Sequence, residues 1–141
     1  TRYETLQPEY NLYDRNEYES GLEQVAIEHG LGVINYYSLA SGFLSGKYRT
    51  PQDASKSKRG EGGVKQYLNP RGLRILAALD QIAAARDATP TQVALAWQIA
   101  RPGITAPIVS ATSLQQLDEL VKAATLKLSA EEIKQLADAS R

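Results

Sequence analysis

Three short apolar segments, each followed by a helical pattern, constrain most strongly what this chain can fold into. Residues 3–6, 32–37 and 106–110 are rich in β-branched or aromatic side chains, and the stretches between them have the apolar spacing of helices. Strands that alternate with helices in this way pair in parallel through right-handed crossovers. The chain is therefore expected to be an α/β protein, built either as an open doubly wound sheet or as part of a closed eight-stranded barrel.

The small number of predicted strands has a consequence for assembly. Three strands cannot close a barrel, and a parallel sheet of three strands leaves its edges unpaired and its faces only partly covered. The sequence therefore predicts that the ordered form contains a missing N-terminal half-barrel as a separate segment, or else pairs with a second copy of the chain.

Local signals predict where the helices begin and end. The predicted helices cover residues 18–29, 70–86, 91–100 and 130–139, and a further helix opens at Ser113. Asn69 is expected to cap the helix that follows it. Ser113 with Gln116, and Ser129 with Glu132, have the spacing of capping boxes.

Composition limits the possible functions. Sixteen basic and sixteen acidic residues cancel, so no global field is expected to attract nucleic acid or anionic lipid. The chain has no cysteine, which excludes disulfides and thiolate chemistry and suits a reducing compartment. No apolar run approaches the roughly 20 residues that span a bilayer. We therefore expect a cytoplasmic protein without nucleic-acid or membrane partners.

Two segments have the residue types of phosphate sites. Residues 34–48, INYYSLASGFLSGKY, follow a predicted strand with small residues, two glycines and Lys47. Backbone amides from Leu39 to Gly42 are expected to converge on a pyrophosphate there, although such turns are more often purely structural. At the end of the third predicted strand, Ser110, Thr112 and the first amides of the Ser113 helix form a possible anion site, unless they simply cap that helix.

The single histidine of the chain is not expected to act as a catalytic residue. His29 lies at a predicted helix end before Gly30 and is best explained as a solvent-facing group.

Residues 39–69 form one long segment rich in Gly, Ser and Lys, and loops of that length in compact domains are usually lids or binding loops.

Three motifs, LQPEYNLYDR, YYSLASGFLSGKY and PIVSATSLQQLDEL, resemble the sixth-, seventh- and eighth-strand signatures of the aldo-keto reductases. Their order, their spacing and the LSAEEIKQL ending also match. The resemblance implies the C-terminal part of a (β/α)8 TIM barrel, with three parallel strands and crossover helices. It implies that residues 1–141 are the C-terminal half of an NADP-dependent oxidoreductase domain.

The resemblance also implies a binding site for NADP(H). Gln7 matches the residue that hydrogen-bonds the nicotinamide carboxamide, and Tyr36 matches the aromatic residue that stacks on the nicotinamide ring. The pyrophosphate would be met by Leu39, Ser41 and Lys47. The adenine side would be held by Arg59, and the adenosine and 2′-phosphate pocket would be formed by Ser110, Thr112, Gln116 and Glu119.

Some positions depart from the family pattern. Leu120 lies where the family often has asparagine, and no arginine or lysine lies between Pro102 and Val121. The 2′-phosphate would then depend on Thr112, the helix terminus and the basic residues of the loop. Ser38 lies where many relatives have proline.

The resemblance implies no catalytic residue within this chain. The family reduces aldehydes and ketones with an aspartate, a tyrosine, a lysine and a histidine that come from the first half of the barrel. Two functions remain open: the NADP(H)-binding portion of a reductase for small carbonyl substrates, inactive alone, or a non-catalytic nucleotide-binding or regulatory module resembling channel β subunits.

Overall fold

The computed structural model describes residues 2–56 and 63–141, which form an α/β arrangement around a short parallel sheet. The strands are β1 (Thr5–Leu6) and β2 (Gly32–Val33). A π-helical turn at Tyr18–Leu22 leads directly into α1 (Glu23–Glu28). The longer helices are α2 (Pro70–Ala85), α3 (Pro90–Ile99), α4 (Leu114–Ala123) and α5 (Ala130–Ala139).

The sheet is parallel, as expected, but shorter than the sequence predicts. Thr5 pairs with Gly32 and Leu6 with Val33, and an isolated parallel bridge joins Glu9 to Tyr36. The segment predicted as a third strand, residues 106–110, is not a regular strand. It runs beside β2 through hydrogen bonds such as Ile108 N to Asn35 O at 2.8 Å, after a parallel bridge between Val33 and Ile104.

A side chain explains why the third strand does not form. The backbone amide of Val33 donates to the hydroxyl oxygen of Thr105 at 3.1 Å, where a regular ladder would use a backbone carbonyl. The amides of Thr105 and Ala106 then both donate to the carbonyl oxygen of Val33, at 2.8 and 3.2 Å. This local competition interrupts the ladder, and the segment stays extended without becoming a strand.

The helix boundaries agree with the cap signals. Asn69 accepts a hydrogen bond from the amide of Gly72 at 3.0 Å and begins α2. Complete capping boxes begin α3 at Thr89 and α5 at Ser129. At α4 only half of the predicted box is present: Ser113 accepts from the Gln116 amide, but the Gln116 side chain bonds to Thr112 and not to Ser113.

The described part of the long loop is packed rather than irregular. Residues Pro51–Lys56 and Lys65–Tyr67 form short 3₁₀ helices, whereas Ala40–Ser45 is a compact turn whose helical path is broken at Ser41 and Gly42. Arg49 holds the loop to α2 by a two-pronged ion pair with Asp80, at 2.7 and 2.8 Å. Phe43 and Tyr67 stack on one another in the core, with ring centroids 5.4 Å apart.

The core lies between the sheet and the helices. Tyr10, Trp97 and Leu79 are almost fully buried, and α5 adds Leu136 against α2. By contrast, Leu114, Leu117 and Val121 on α4 are 85%, 50% and 61% exposed. The described residues therefore leave part of the apolar face of α4 uncovered.

Two classes of site and segment do not occur in the part of the chain that the structure describes. Within residues 2–56 and 63–141, no helix is long and apolar enough to cross a membrane. The same residues contain no cluster of histidine, aspartate or glutamate side chains arranged to hold a metal ion.

Candidate functional site

A cleft of about 990 Å³ lies where the turn after β2 faces the extended segment 106–110 and the first turns of α3 and α4. Polar groups from the turn and from the start of α4 converge on it. The predicted site residues that line this cleft are Leu39, Ser41, Lys47, Ser110, Thr112, Gln116 and Glu119. Residues far apart in sequence, predicted to bind one ligand, are thus brought to one place.

The turn after β2 has an uncommon backbone conformation. Tyr37, Ala40 and Ser41 have φ values of 55°, 49° and 58°, in the left-handed region, and Gly42 follows at 89°. Each non-glycine residue in this region costs roughly 1–2 kcal/mol, so such a run persists only where its surroundings enforce it. Strained turns of this kind are concentrated at binding sites.

Hydrogen bonds within the turn use part of the predicted phosphate-binding backbone. The amide of Ala40 donates to the carbonyl oxygen of Tyr37 at 2.8 Å, and the amide of Gly42 donates to that of Leu39 at 2.9 Å. Two of the four amides expected to converge on a pyrophosphate therefore already have acceptors inside the turn. An anion in the cleft would then depend more on side chains.

Lys47 supplies positive charge to this side of the cleft. Its ammonium group lies 4.9 Å from the centroid of the Tyr48 ring, in cation–π geometry. Lys47 also lies beside Gly42, where a Cβ atom would be in ordinary contact with the lysine Nζ atom at 3.5 Å. The requirement for glycine at position 42 comes from its positive φ of 89°.

The opposite wall is built at the start of α4. Gln116 turns back so that its Oε1 atom accepts from the Thr112 amide at 2.8 Å and from the Thr112 hydroxyl at 3.0 Å. Thr112 offers two donors to one oxygen, which explains why Gln116 prefers it to the Ser113 amide. Ser113 remains the helix cap, so Thr112 and Gln116 form a separate hydrogen-bonded pair at the rim of the cleft.

Glu119 connects the two helices that border the cleft. Its Oε1 atom accepts from the Thr89 hydroxyl at 2.5 Å, and its backbone oxygen accepts from Gln92 Nε2 at 3.2 Å. Thr89 and Gln92 also form the capping box of α3. The position of the Glu119 carboxylate is therefore set by the start of the neighbouring helix.

Gln7 and Tyr36 lie outside the residues that line the cleft. Gln7 is exposed just after β1, and Tyr36 is 38% exposed beside it across the Glu9 bridge. The Tyr36 hydroxyl donates to the Glu9 carboxylate at 3.4 Å. Partial desolvation and the Glu9 charge raise the pKa of Tyr36.

One predicted site residue cannot be placed, and the cleft is also lined by residues outside the predicted set. Arg59 lies outside the described residues. The Gly42 amide was predicted to face the pyrophosphate, and Ser38 and Leu120 were named as departures from the family pattern. The residues that line the cleft without having been predicted are Tyr37, Ser45, Gly63, Thr91, Ile108 and Val109. For Thr91 the available signal was its position directly after Thr89 and Pro90, which mark a helix start whose first turn carries exposed amides.

Comparison with known proteins identifies relatives over the whole chain. The model of the Aldo/keto reductase family matches residues 1–141. The L-glyceraldehyde 3-phosphate reductase of Escherichia coli is 33% identical over 136 residues, covering 92% of this chain and 39% of the reductase. An aldo-keto reductase of Alternaria alternata is 34% identical over 143 residues, covering 100% of this chain and 37% of that protein.

A probable channel subunit and a solved structure are also similar to this chain. A probable voltage-gated potassium channel subunit beta of Arabidopsis thaliana is 33% identical over 121 residues, covering 83% of this chain and 37% of the subunit. The crystal structure of a thermostable aldo-keto reductase in complex with the inhibitor epalrestat superposes with a TM-score of 0.68 at 27% identity, covering 94% of this chain and 38% of that one. The chain thus spans about two fifths of the length of these relatives.

Proposed function

Because the chain belongs to the aldo/keto reductase family, we propose that it is the NADP(H)-binding portion of a reductase that converts aldehydes or ketones to alcohols. The observation that carries the proposal is the cleft, which joins the strained turn and Lys47 on one side to Thr112 and the start of α4 on the other. Its volume of about 990 Å³ lies within the usual range of small-molecule sites. The chain would take the C-terminal strand positions, six to eight, of a TIM barrel.

The chemistry of the donors fits a phosphorylated nucleotide. In the proposed arrangement Lys47 and Ser41 face the pyrophosphate, and the hydroxyl of Thr112 faces the 2′-phosphate near the α4 N-terminus. Tyr36 and Gln7, at the end of the sheet, would hold the nicotinamide ring with one face turned to the substrate. The bound cofactor would supply the hydride.

Catalysis requires residues beyond those assigned here. The proton donor for carbonyl reduction would come from outside this chain, and we propose that the 141 residues alone do not turn over substrate. A cytoplasmic location is part of the proposal, because a chain without cysteine suits a reducing compartment.

Titration of the complete barrel protein with NADPH and with NADH by calorimetry tests the nucleotide site. We expect NADPH to bind more tightly than NADH. If neither cofactor binds, the proposal is refuted.

An assay of NADPH oxidation with a panel of aldehydes then distinguishes the two possible functions. Turnover supports a reductase, whereas tight binding without turnover favours the regulatory role suggested by likeness to a channel β subunit.

A further inference from the structure

A connected group of polar side chains lies beneath the turn that borders the cleft. Asn35, Ser38 and Gln98 are each at most 1% exposed. The Nδ2 atom of Asn35 donates to Gln98 Oε1 at 2.7 Å and to the carbonyl oxygen of Tyr10 at 2.8 Å. In turn, Gln98 Nε2 donates to the carbonyl oxygen of Ser38 at 2.8 Å.

This buried group connects three of the segments that border the cleft, the turn after β2, the extended segment 106–110 and α3, to the segment after β1. The Ser38 hydroxyl donates to the carbonyl oxygen of Ile108 at 2.9 Å, which joins the turn to the third extended segment. Asn35 reaches the segment after β1 through Tyr10, and Gln98 belongs to α3. Ser38 and Ile108 themselves line the cleft.

Stability alone does not explain these polar residues. Within the described part of the chain, Asn35 Oδ1 has no hydrogen-bond partner although it is buried. An unpartnered buried oxygen is unfavourable, and apolar side chains of similar volume would avoid that cost. A buried polar group that is retained at such a cost needs another role.

The role that fits is control of the strained turn. Ser38 directly follows Tyr37 at φ 55° and precedes Ala40 and Ser41, which are also left-handed. Gln98 holds the Ser38 carbonyl and the Ser38 hydroxyl is held by Ile108, so the middle of the turn is fixed from both sides. Such fixation is what keeps non-glycine residues in the left-handed region.

We propose that Gln98 is a positioning residue for the cleft: it holds the turn of residues 37–42 in the conformation that receives the cofactor pyrophosphate. This inference rests on the proposed function for its effect on affinity. The effect on the turn itself does not depend on any ligand.

The test compares Gln98→Leu with Leu136→Ala in the complete barrel protein. Leu136 is fully buried against α2, so its truncation destabilises the protein away from the turn. We expect Gln98→Leu to weaken NADP⁺ binding about tenfold in calorimetry, because the Ser38 carbonyl loses its buried donor. Leu136→Ala should leave binding within about twofold.

Hydrogen exchange of the backbone separates the two proposals. Gln98→Leu should speed amide exchange in residues 37–42 with no ligand present, whereas Leu136→Ala should not. If the wild-type protein binds no cofactor, the proposed function fails and exchange alone decides the inference. Unchanged exchange in the turn overturns it in either case.

A conservative variant gives a readout that general destabilisation would not produce. In Gln98→Glu, a protonated carboxyl group can still donate to the Ser38 carbonyl, whereas an ionised one cannot. Position 98 is fully buried, and burial raises the pKa of a carboxyl group, so relative to wild type NADP⁺ binding by this variant should be stronger at about pH 6 than at about pH 8.5. The same ratio to wild type at both pH values would contradict the positioning role.

Discussion

At the scale of single residues, the hydrogen-bond donors that line the cleft have different partners within the protein. Thr112 shares its amide and its hydroxyl with Gln116, whereas Lys47 lies over an aromatic ring. Charge-assisted hydrogen bonds to phosphate are about twice as strong as neutral ones. The residues that meet phosphate groups are therefore the most informative to change.

Thr112→Ala is predicted to weaken NADPH binding by about 1–3 kcal/mol in the complete barrel, and to weaken NADH binding less. The reason is that the hydroxyl is proposed to meet the 2′-phosphate, which NADH lacks. Lys47→Ala should weaken both cofactors, and Lys127→Ala, an exposed lysine outside the cleft, should weaken neither. Equal losses for NADPH and NADH in a titration would place Thr112 outside the 2′-phosphate pocket.

The carboxyl group of Glu19 is expected to affect how the stability of the protein depends on pH. Burial alone would raise the pKa of its carboxyl group, but hydrogen bonds from Arg15 and Tyr10, with the charge of Arg101, outweigh burial and hold the pKa below its ordinary value. A group whose pKa is lower in the folded state stabilises the protein above its unfolded pKa. That stabilisation is lost as the pH falls through the folded pKa.

Glu19→Gln is therefore predicted to reduce stability at neutral pH and to flatten its decline as the pH falls from about 5 to about 3. Urea unfolding at a series of pH values measures both effects. Glu28→Gln is the matched control, because Glu28 on α1 is bonded to the neutral side chain of Gln24 at 2.7 Å. A decline as steep in Glu19→Gln as in the control would show that Glu19 does not carry the effect.

At the scale of elements, the two complete capping boxes differ in what they touch. Thr89 begins α3 and also donates to Glu119 at the cleft, whereas Ser129 begins α5 on the far side of α2. Both hydroxyls accept from the amide three residues later, at 3.3 Å. They form a natural pair for separating helix stability from cleft geometry.

Thr89→Ala and Ser129→Ala are each predicted to lower the free energy of unfolding by about 1 kcal/mol, since each removes a helix cap. Only Thr89→Ala should also weaken NADPH binding, because it releases the Glu119 carboxylate. Chemical denaturation and cofactor titration of both variants measure these effects. If the two variants change NADPH binding equally, the Thr89 cap of α3 does not influence the cofactor site.

At the scale of the whole molecule, the main feature is the apolar surface that the described residues leave exposed to water. Leu114, Leu117 and Val121 form an exposed row on α4, and Ile108 and Tyr3 are 42% and 85% exposed near the sheet. Apolar surface in contact with water is unfavourable by about 25 cal/mol per Å². We propose that a separate N-terminal half-barrel covers these surfaces, with a second copy of this chain as the alternative.

The isolated 141-residue chain is predicted to associate rather than to remain a monomer, and Val121→Lys should reduce that association. Light scattering with intact mass spectrometry distinguishes a complex with another segment from a dimer of identical chains. Asp118→Asn, also on the exposed side of α4 and bonded to Lys122, makes the same change of one positive unit and controls for the change in charge. A monomer of the chain's own mass with cooperative thermal unfolding would refute the incomplete-barrel interpretation.

Short-range signals in the sequence determined the helices and their caps. Asn69, Thr89 and Ser129 each bond to an amide three residues away, so sequence spacing is enough to predict them. The family motifs likewise pointed to seven of the residues that line the cleft, whereas Gln7 and Tyr36 lie outside it. Both kinds of information lie within single stretches of chain.

Only the tertiary structure decided the features that depend on distant partners. Thr105 interrupts the third strand by bonding to Val33, 72 positions away, and Asn35 meets Gln98 across 63 positions. The exposure of the α4 face also depends on which segments pack beside it. No local pattern encodes such pairs, because a side chain chooses among all the donors and acceptors that folding brings within reach.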